Sequence, residues 1–388
     1  MALVTTPGSG FAPPCLGQAE IDEVVATLQS GWLSTGPRVR RFEAAFADYV
    51  GARHAIAVNS CTAALHLALL ALDVGVGDEV ITTPMTFCAT ANVVVHTGAT
   101  PRFVDIDPVT WNITPAAASA AITPYTRVIL PVHYAGRPAD LDGFRTLATR
   151  HGAAVVDDAA HAVEAVSAGV KVGTGADISC FSFYATKNLT TGEGGMVTTG
   201  SEAWAAFMRT ASLHGISRDG WARYGPQATP HYDVLLAGYK YNMMDLQAAI
   251  GLRQLAGLPA RLARREAVWR TYDALLADLP VTRPAPVDGG DRHARHLYTI
   301  LVDPESGWTR DALAAHLAAQ GIATSVHFRA LHLQPYYQQR FALRRGMFPV
   351  AERVSDAVLS LPLHAGMADG EAERVGDAIR RAILGRAR

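Results

Sequence analysis

Cysteine is scarce: the 388 residues hold four, spread over positions 15, 61, 88 and 180. None stands in a Cys-x-x-Cys pair or at a Cys/His spacing suited to zinc, so no metal site is expected and a reducing cytoplasm fits best. Long apolar runs are missing as well. The most apolar candidate helix, Ala63 to Leu72, is too short to span a bilayer and contains His66. Met1-Ala-Leu-Val is followed by Thr, Pro, Gly and Ser rather than by a basic segment and an apolar core, so no signal peptide is expected. Charge of one sign is lacking too. A formal net charge of -1 gives no electrostatic case for nucleic acid or an anionic membrane, although a local basic pocket for a small anion is compatible with it. No repeat or low-complexity segment stands out.

What is present is ordinary globular composition, 49% hydrophobic and 18% charged, over a length at which two domains are the default. Between about 54 and 200, short β-rich runs alternate with helical ones. Strands are expected at Ala55–Val58, Glu79–Thr82, Pro101–Asp105, Val128–Val132, Ala153–Asp157, Asp177–Ser182 and Gly195–Thr199, with helices at Thr62–Leu72 and Ala89–Thr97. Such alternation argues for a mostly parallel α/β sheet covered on both faces. A long helical run from about Met244 to Leu279, broken at Gly257 and Pro259, leads to a Pro/Gly/Asp-rich connection at 280–291. Leu297–Val302, a helix at Thr309–Gln320 and the run Ala323–Phe328 suggest a smaller α/β unit, closed by an amphipathic helix at Asp369–Leu384. The expected division is 12–255 and 256–388, with a helical linker at about 256–280.

Ligands in parallel sheets sit beyond the carboxyl ends of the strands, so the residues following them carry the functional question. Asn59-Ser-Cys-Thr62 reads either as a helix cap or as an anion site built from free amides, the positive helix end and hydroxyls. Asp157-Asp158-Ala-Ala-His161 reads as a cap or as a carboxylate held against a protonated heterocycle; a metal there would lack a third ligand. Phe87 is a core aromatic or a stacking platform for a flat ligand. In Ser182-Phe-Tyr-Ala-Thr-Lys-Asn-Leu-Thr-Thr-Gly-Glu-Gly-Gly195 the glycines follow Lys187, whereas a nucleotide-phosphate loop needs glycine directly before the lysine. Lys187 is therefore a candidate amine for Schiff-base chemistry. A phosphate anchor, an aromatic stack, an Asp for a ring nitrogen and an imine-forming Lys together suit pyridoxal phosphate.

At this point the chain resembles the DegT/DnrJ/EryC1/StrS sugar aminotransferases, fold-type I pyridoxal-phosphate enzymes. The resemblance runs from about Leu16 to Leu384. It is carried by Gly31-Trp-Leu-Ser-Thr-Gly-Pro37 with Phe42-Glu43, Asn59–Leu65, Pro84–Asn92, Val104–Asp107, Asp158–His161, Ser182 with Lys187 and Gly192–Gly195, Gly238–Ile250 and His327-Phe-Arg329. It implies a large domain with a mostly parallel seven-stranded sheet and a smaller C-terminal α/β domain. It also implies a homodimer with the active site at the interface. By the same resemblance Lys187 would hold the cofactor and shuttle the proton. Asp158 would pair with the pyridine nitrogen, and Phe87 would stack on the ring. Ser60, Cys61, Thr62 and Ser182 would contact the phosphate, and His161 would sit near the ring's O3′ side. Lys240 and Asn242 would reach the cofactor from the second subunit; many members read Gly-Tyr-Asn-Tyr-Arg where this chain reads Gly-Tyr-Lys-Tyr-Asn. That variant, with His327-Phe-Arg-Ala-Leu-His332, is similar to enzymes that aminate a UDP-linked 4-keto-pentose.

The implied reaction is a ping-pong transfer from glutamate (or glutamine) to a nucleotide-linked keto-sugar, for antibiotic or cell-surface glycan biosynthesis. A dTDP-4-keto-6-deoxyhexose is the first choice, a UDP-4-keto sugar the second, a 3-keto sugar or cyclitol the third. Thr35, His327, Arg329, His332 and Tyr336 are candidate substrate residues. The family also contains 3-dehydratases with His in place of the lysine, which Lys187 disfavours. From other classes, a non-catalytic pyridoxal-phosphate regulator lacks a basic helix-turn-helix, and a phosphate-loop kinase lacks the glycine order.

Overall fold

Strand runs with apolar residues at consecutive positions need cover on both faces. In the computed structural model, which describes residues 11–217, 231–287 and 289–386, seven of them form one sheet. The first ten residues, read above for a leader, lie outside the described ones. In chain order the strands are β1 (His54–Val58), β2 (Glu79–Thr82), β3 (Thr100–Phe103), β4 (Thr126–Ile129), β5 (Ala154–Asp158), a small hairpin β6–β7 (Val166–Ser167 and Val170–Lys171), β8 (Ile178–Ser182) and β9 (Gly195–Thr199). The large sheet runs β1-β9-β8-β5-β4-β2-β3. Every pairing from β8 to β3 is parallel, and β9 alone runs against both its neighbours. This is the mostly parallel seven-stranded sheet that the resemblance implies.

Alternation along the strands divides the core in two. Val80, Val128, Val156, Cys180 and Val197 pack on one face, while their neighbours Ile81, Ile129, Val155, Phe181 and Met196 pack on the other. The first face is covered by α3 (Cys61–Ala71), counting α1 as Gln18–Gln29 and α2 as Pro37–Val50. Residues 63–69 of α3 are all buried, which is why its sequence is apolar all round rather than striped. Its neighbour α4 spans Cys88–His96. The helices α1 and α2 were not anticipated. Pro37 opens α2, and Asp245 caps it by accepting the amides of Arg38 (3.1 Å) and Val39 (2.9 Å), a partnership across 207 and 206 residues.

The long helical run divides where expected, into Asp245–Ala256 and Leu258–Leu275. The second sheet has three antiparallel strands, β10 (Val281–Thr282), β11 (Tyr298–Val302) and β12 (Val358–Leu361). Its core joins Val268, Trp269 and Tyr272 to Ile300, Leu359 and Ile379. One expectation is corrected: Ala323–Phe328 is not a strand. Only Ser325 bridges Ser360, and the strand beside β11 is Val358–Leu361, which follows a helix directly with no turn signal to mark it. Among the described residues no helix is long and apolar enough to cross a membrane.

Candidate active site

The carboxyl ends of β1, β5 and β8, with the loops after β2 and β4, converge on a cavity of about 580 Å³. Ser60, Cys61, Thr62, Phe87, Asp158, His161, Ser182 and Lys187 all line it, so eight separately chosen residues meet in one place. At the α3 end, Ser60 is the N-cap: its Oγ accepts the Ala63 amide at 3.1 Å. The amides of Cys61 and Thr62 precede the first intrahelical bond, Ala64 N to Ser60 O, and stand at the cavity with the positive end of the helix behind them. The cap is present, and the amides that the anion reading calls on stand beside it at the cavity. Ser182 faces this end from the tip of β8.

The adjacent carboxylates at the end of β5 separate by strand alternation. Asp157 turns away from the cavity and meets His133 at 2.7 Å, both fully buried. The other ring nitrogen of His133 accepts the Ala139 amide at 2.8 Å, so Nε2 carries the proton and donates to Asp157. Asp158 turns into the cavity. Its Oδ2 accepts from Thr90 Oγ1 at 2.8 Å and its Oδ1 from the Ala160 amide at 3.1 Å. Because the Thr90 proton goes to Asp158, Thr86 donates in turn to Thr90 at 2.8 Å. Burial pushes the Asp158 carboxyl up, against the pull of Thr90, Ala160 and Lys187.

Lys187 sits in the loop after β8, its amide bonded to Tyr184 O at 2.9 Å. Desolvation brings its amine down to about 8, with Asp158 and Cys61 pulling the other way. The glycines after it are explained by the backbone. Gly192 has φ +79°, a left-handed turn that feeds β9. At Gly195, where β9 passes under the Ser60–Cys61 turn, a Cβ would come within 2.5 Å of Ser60 C and 2.7 Å of Cys61 N. The run is a crossing point beneath the α3 cap rather than a phosphate cradle of its own.

The opposite wall is aromatic. Phe87 remains 60% exposed although it is large and apolar, and its ring lies 6.3 Å from that of Phe328. Phe328 stacks on His161 at 6.0 Å and 15°. His161 Nδ1 is buried with no hydrogen-bond partner. Burial and the Lys187 cation hold His161 well below the ordinary histidine range. His327 also lines the cavity, bonds Ser360 Oγ at 2.8 Å, and is pushed down to about 4, chiefly by burial and then by Lys187.

The other expected residues lie elsewhere. Arg329 and Tyr336 line a groove of about 740 Å³ that shares Thr86, Phe87 and Phe328 with the cavity. His332 is a correction: the short turn Leu331–Leu333 points it inward, fully buried, onto Glu352 at 3.0 Å and against Phe348, so it faces neither space. Thr35, Lys240 and Asn242 form a separate group. Asn242 donates to Thr35 Oγ1 at 2.6 Å and accepts from Lys240 Nζ at 2.7 Å, away from the cavity that holds Lys187 in the same chain. Sequence reasoning missed Thr86, Thr90, Tyr184 and Phe328. Thr90 lies on the buried face of α4, beside Ala91, Val93 and Val94, and a polar residue on that apolar face was the available signal for it.

Comparison with known proteins places the chain in a family. The profile of the DegT/DnrJ/EryC1/StrS aminotransferase family matches residues 14–380. The spore coat polysaccharide biosynthesis protein SpsC of Bacillus subtilis is 47% identical over 377 residues, 97% of each chain. The solved structure of the putative sugar aminotransferase Spr1654 from Streptococcus pneumoniae, in its PMP form, superposes with a TM-score of 0.90 at 33% identity, over 97% of this chain and 99% of that one. Its PLP form gives the same TM-score at 32%. Helicobacter pylori PseC, an aminotransferase involved in pseudoaminic acid biosynthesis, gives 0.89 at 30% over 97% and 99%.

Proposed function

Because this chain belongs to the DegT/DnrJ/EryC1/StrS family and is a pyridoxal-phosphate-dependent sugar aminotransferase, we propose that it moves an amino group from L-glutamate to a nucleotide-linked keto-sugar, first a dTDP-4-keto-6-deoxyhexose. The product would be an amino-sugar nucleotide; the polysaccharide role in the name of SpsC supports a cell-surface glycan as its destination. The observation that carries the reading is the meeting of Lys187, Asp158, His161 and the α3 N-terminus in one cavity.

These residues fit the cofactor. His161 Nδ1 is an orphaned buried atom, Lys187 is a desolvated amine, and the α3 amides stand ready for a phosphate. Bound there, pyridoxal phosphate supplies an electron sink for the charge that develops at the donor's Cα. Lys187 Nζ would hold it covalently and, as the free amine during turnover, would take the proton from the donor's Cα and, in the second half-reaction, deliver one to the carbon of the acceptor sugar that gains the nitrogen. Asp158, steadied by Thr90 and Ala160, would keep the ring nitrogen's proton in place. Ser60, Cys61, Thr62 and Ser182 would hold the phosphate, Phe87 would cover one ring face, and His161 would stand at the ring oxygen.

The adjoining groove with exposed Arg329 and Tyr336 gives room for a diphosphate and a base. Among the described residues lining the cavity, Lys187 is the one lysine or arginine, and it is committed to the cofactor, so donor carboxylates and sugar phosphates need other cations. Arg329 is one. The Lys240–Asn242 segment of a second copy is the other, which makes the working unit a homodimer, with 12–255 holding the cofactor and 256–388 the smaller domain. The resemblance of the Gly-Tyr-Lys-Tyr-Asn242 variant to enzymes that aminate a UDP-linked 4-keto-pentose favours a second reading, a UDP-4-keto sugar as acceptor. The test is a half-reaction screen. Enzyme loaded with glutamate is offered dTDP- and UDP-linked 4-keto sugars and 3-keto sugars, and the return of the lysine-bound absorption band is followed. Return with dTDP-4-keto-6-deoxyhexose alone supports the first choice; return with none overturns the keto-sugar assignment.

A further inference from the structure

Behind Lys187 and His161 lies a buried polar line that the reaction does not use directly. Arg265, 2% exposed and carried by the helix Leu258–Leu275, donates from Nη2 to both carboxylate oxygens of Glu164, at 2.6 and 2.5 Å. Glu164, 1% exposed, also accepts from Asn188 Nδ2 at 2.7 Å. The same Nδ2 donates to Ala294 O at 2.8 Å, so both amide protons of Asn188 are committed and its orientation is fixed. The oxygen end of Asn188 then faces His296 Nδ1 at 3.1 Å, and this nitrogen must carry the proton. The ring of His296, 4% exposed, lies 4.4 Å from that of His161, which faces the cavity. Asn188 is also the residue after Lys187.

We propose that Asn188 is a positioning residue, clamped by the Glu164–Arg265 pair and Ala294, that fixes the peptide carrying Lys187 and sets the tautomer of His296 behind His161. The helix that packs on the second sheet is thereby tied, through Arg265, to the lysine in the first. Supporting groups of this kind matter because small displacements of reacting atoms cost large factors in rate. The inference rests on Lys187 being the covalent anchor.

The test uses the holoenzyme. Asn188→Ala is expected to lower kcat about 10- to 100-fold with KM for glutamate little changed. It should also move the pH midpoint of the cofactor's visible band, while borohydride still traps the cofactor on Lys187. His296→Leu should show the same band displacement with a smaller loss of kcat. His296→Asn, which keeps an N–H at the position of Nδ1, should recover most of it. An Asn188→Ala enzyme with wild-type melting, kcat and band midpoint overturns the proposal. Should that variant fail to fold, indistinguishable His296→Leu and His296→Asn enzymes overturn it instead. A trapped adduct that survives Lys187→Ala would sink the reading of Lys187 and this proposal with it, whereas the Asn188 and His296 variants test this proposal alone.

Discussion

Two neighbouring carboxylates on β5 stand in opposite conditions. Asp157, below the sheet, is sealed against His133 in a pair whose protons are fully assigned by the Ala139 amide. Asp158, above it, is nearly as buried but is held by the light contacts of Thr90 and Ala160, and it faces a cavity with a desolvated amine. Burial alone therefore does not distinguish a structural acid from a functional one. The difference is what each faces: a committed partner in the first case, a cavity and a desolvated amine in the second.

That contrast can be broken or sharpened by substitution. The largest effect is expected for Asp158→Asn: turnover should fall on the order of 10³-fold, with little change in melting, as measured by steady-state kinetics and calorimetry. Asp157→Asn should do the reverse, costing about 1–3 kcal/mol of stability in denaturant titration while the cofactor still binds and turns over. Next, the depressed Lys187 amine sets a pH dependence. The neutral amine is the nucleophile, and its population rises as pH rises through about 8. Capture of pyridoxal phosphate by the cofactor-free chain, followed by stopped-flow absorbance, should therefore accelerate from about pH 6, be half-maximal at about 8 and level off about a unit above that. The smallest effect is expected for Thr90→Val. It removes a hydrogen bond to the charged form of Asp158, so the carboxyl should rise further. The acid limb of the kcat profile should move to higher pH, with a loss of about 10-fold or less near neutrality.

Much of this was legible in the chain because the information is local. Strands such as Glu79–Thr82 and Gly195–Thr199 are short apolar runs closed by polar loops, and their ends mark where a ligand sits. Lys187 stood out by the order of the glycines around it. What was not legible depends on distant partners. Nothing near Asn188 announces Glu164, 24 residues away, or His296, 108 residues away. His332 and His327 look alike in sequence, yet a short turn sends one into the core against Glu352 and leaves the other at the cavity. Thr35, Lys240 and Asn242 bond one another outside the cavity that holds Lys187, a grouping that no local pattern in the sequence announces.

The central claim is that the Lys187 amine, and not another cation, forms the covalent link that Asp158 serves. Borohydride reduction of the purified holoenzyme, followed by peptide mass mapping, tests it most directly in parallel with Lys187→Ala. The account predicts a reduced pyridoxyl group on Lys187 in the wild type, and in the variant no adduct and turnover lower by on the order of 10⁴-fold. An adduct on a different residue, or an undiminished adduct and turnover in Lys187→Ala, would contradict it.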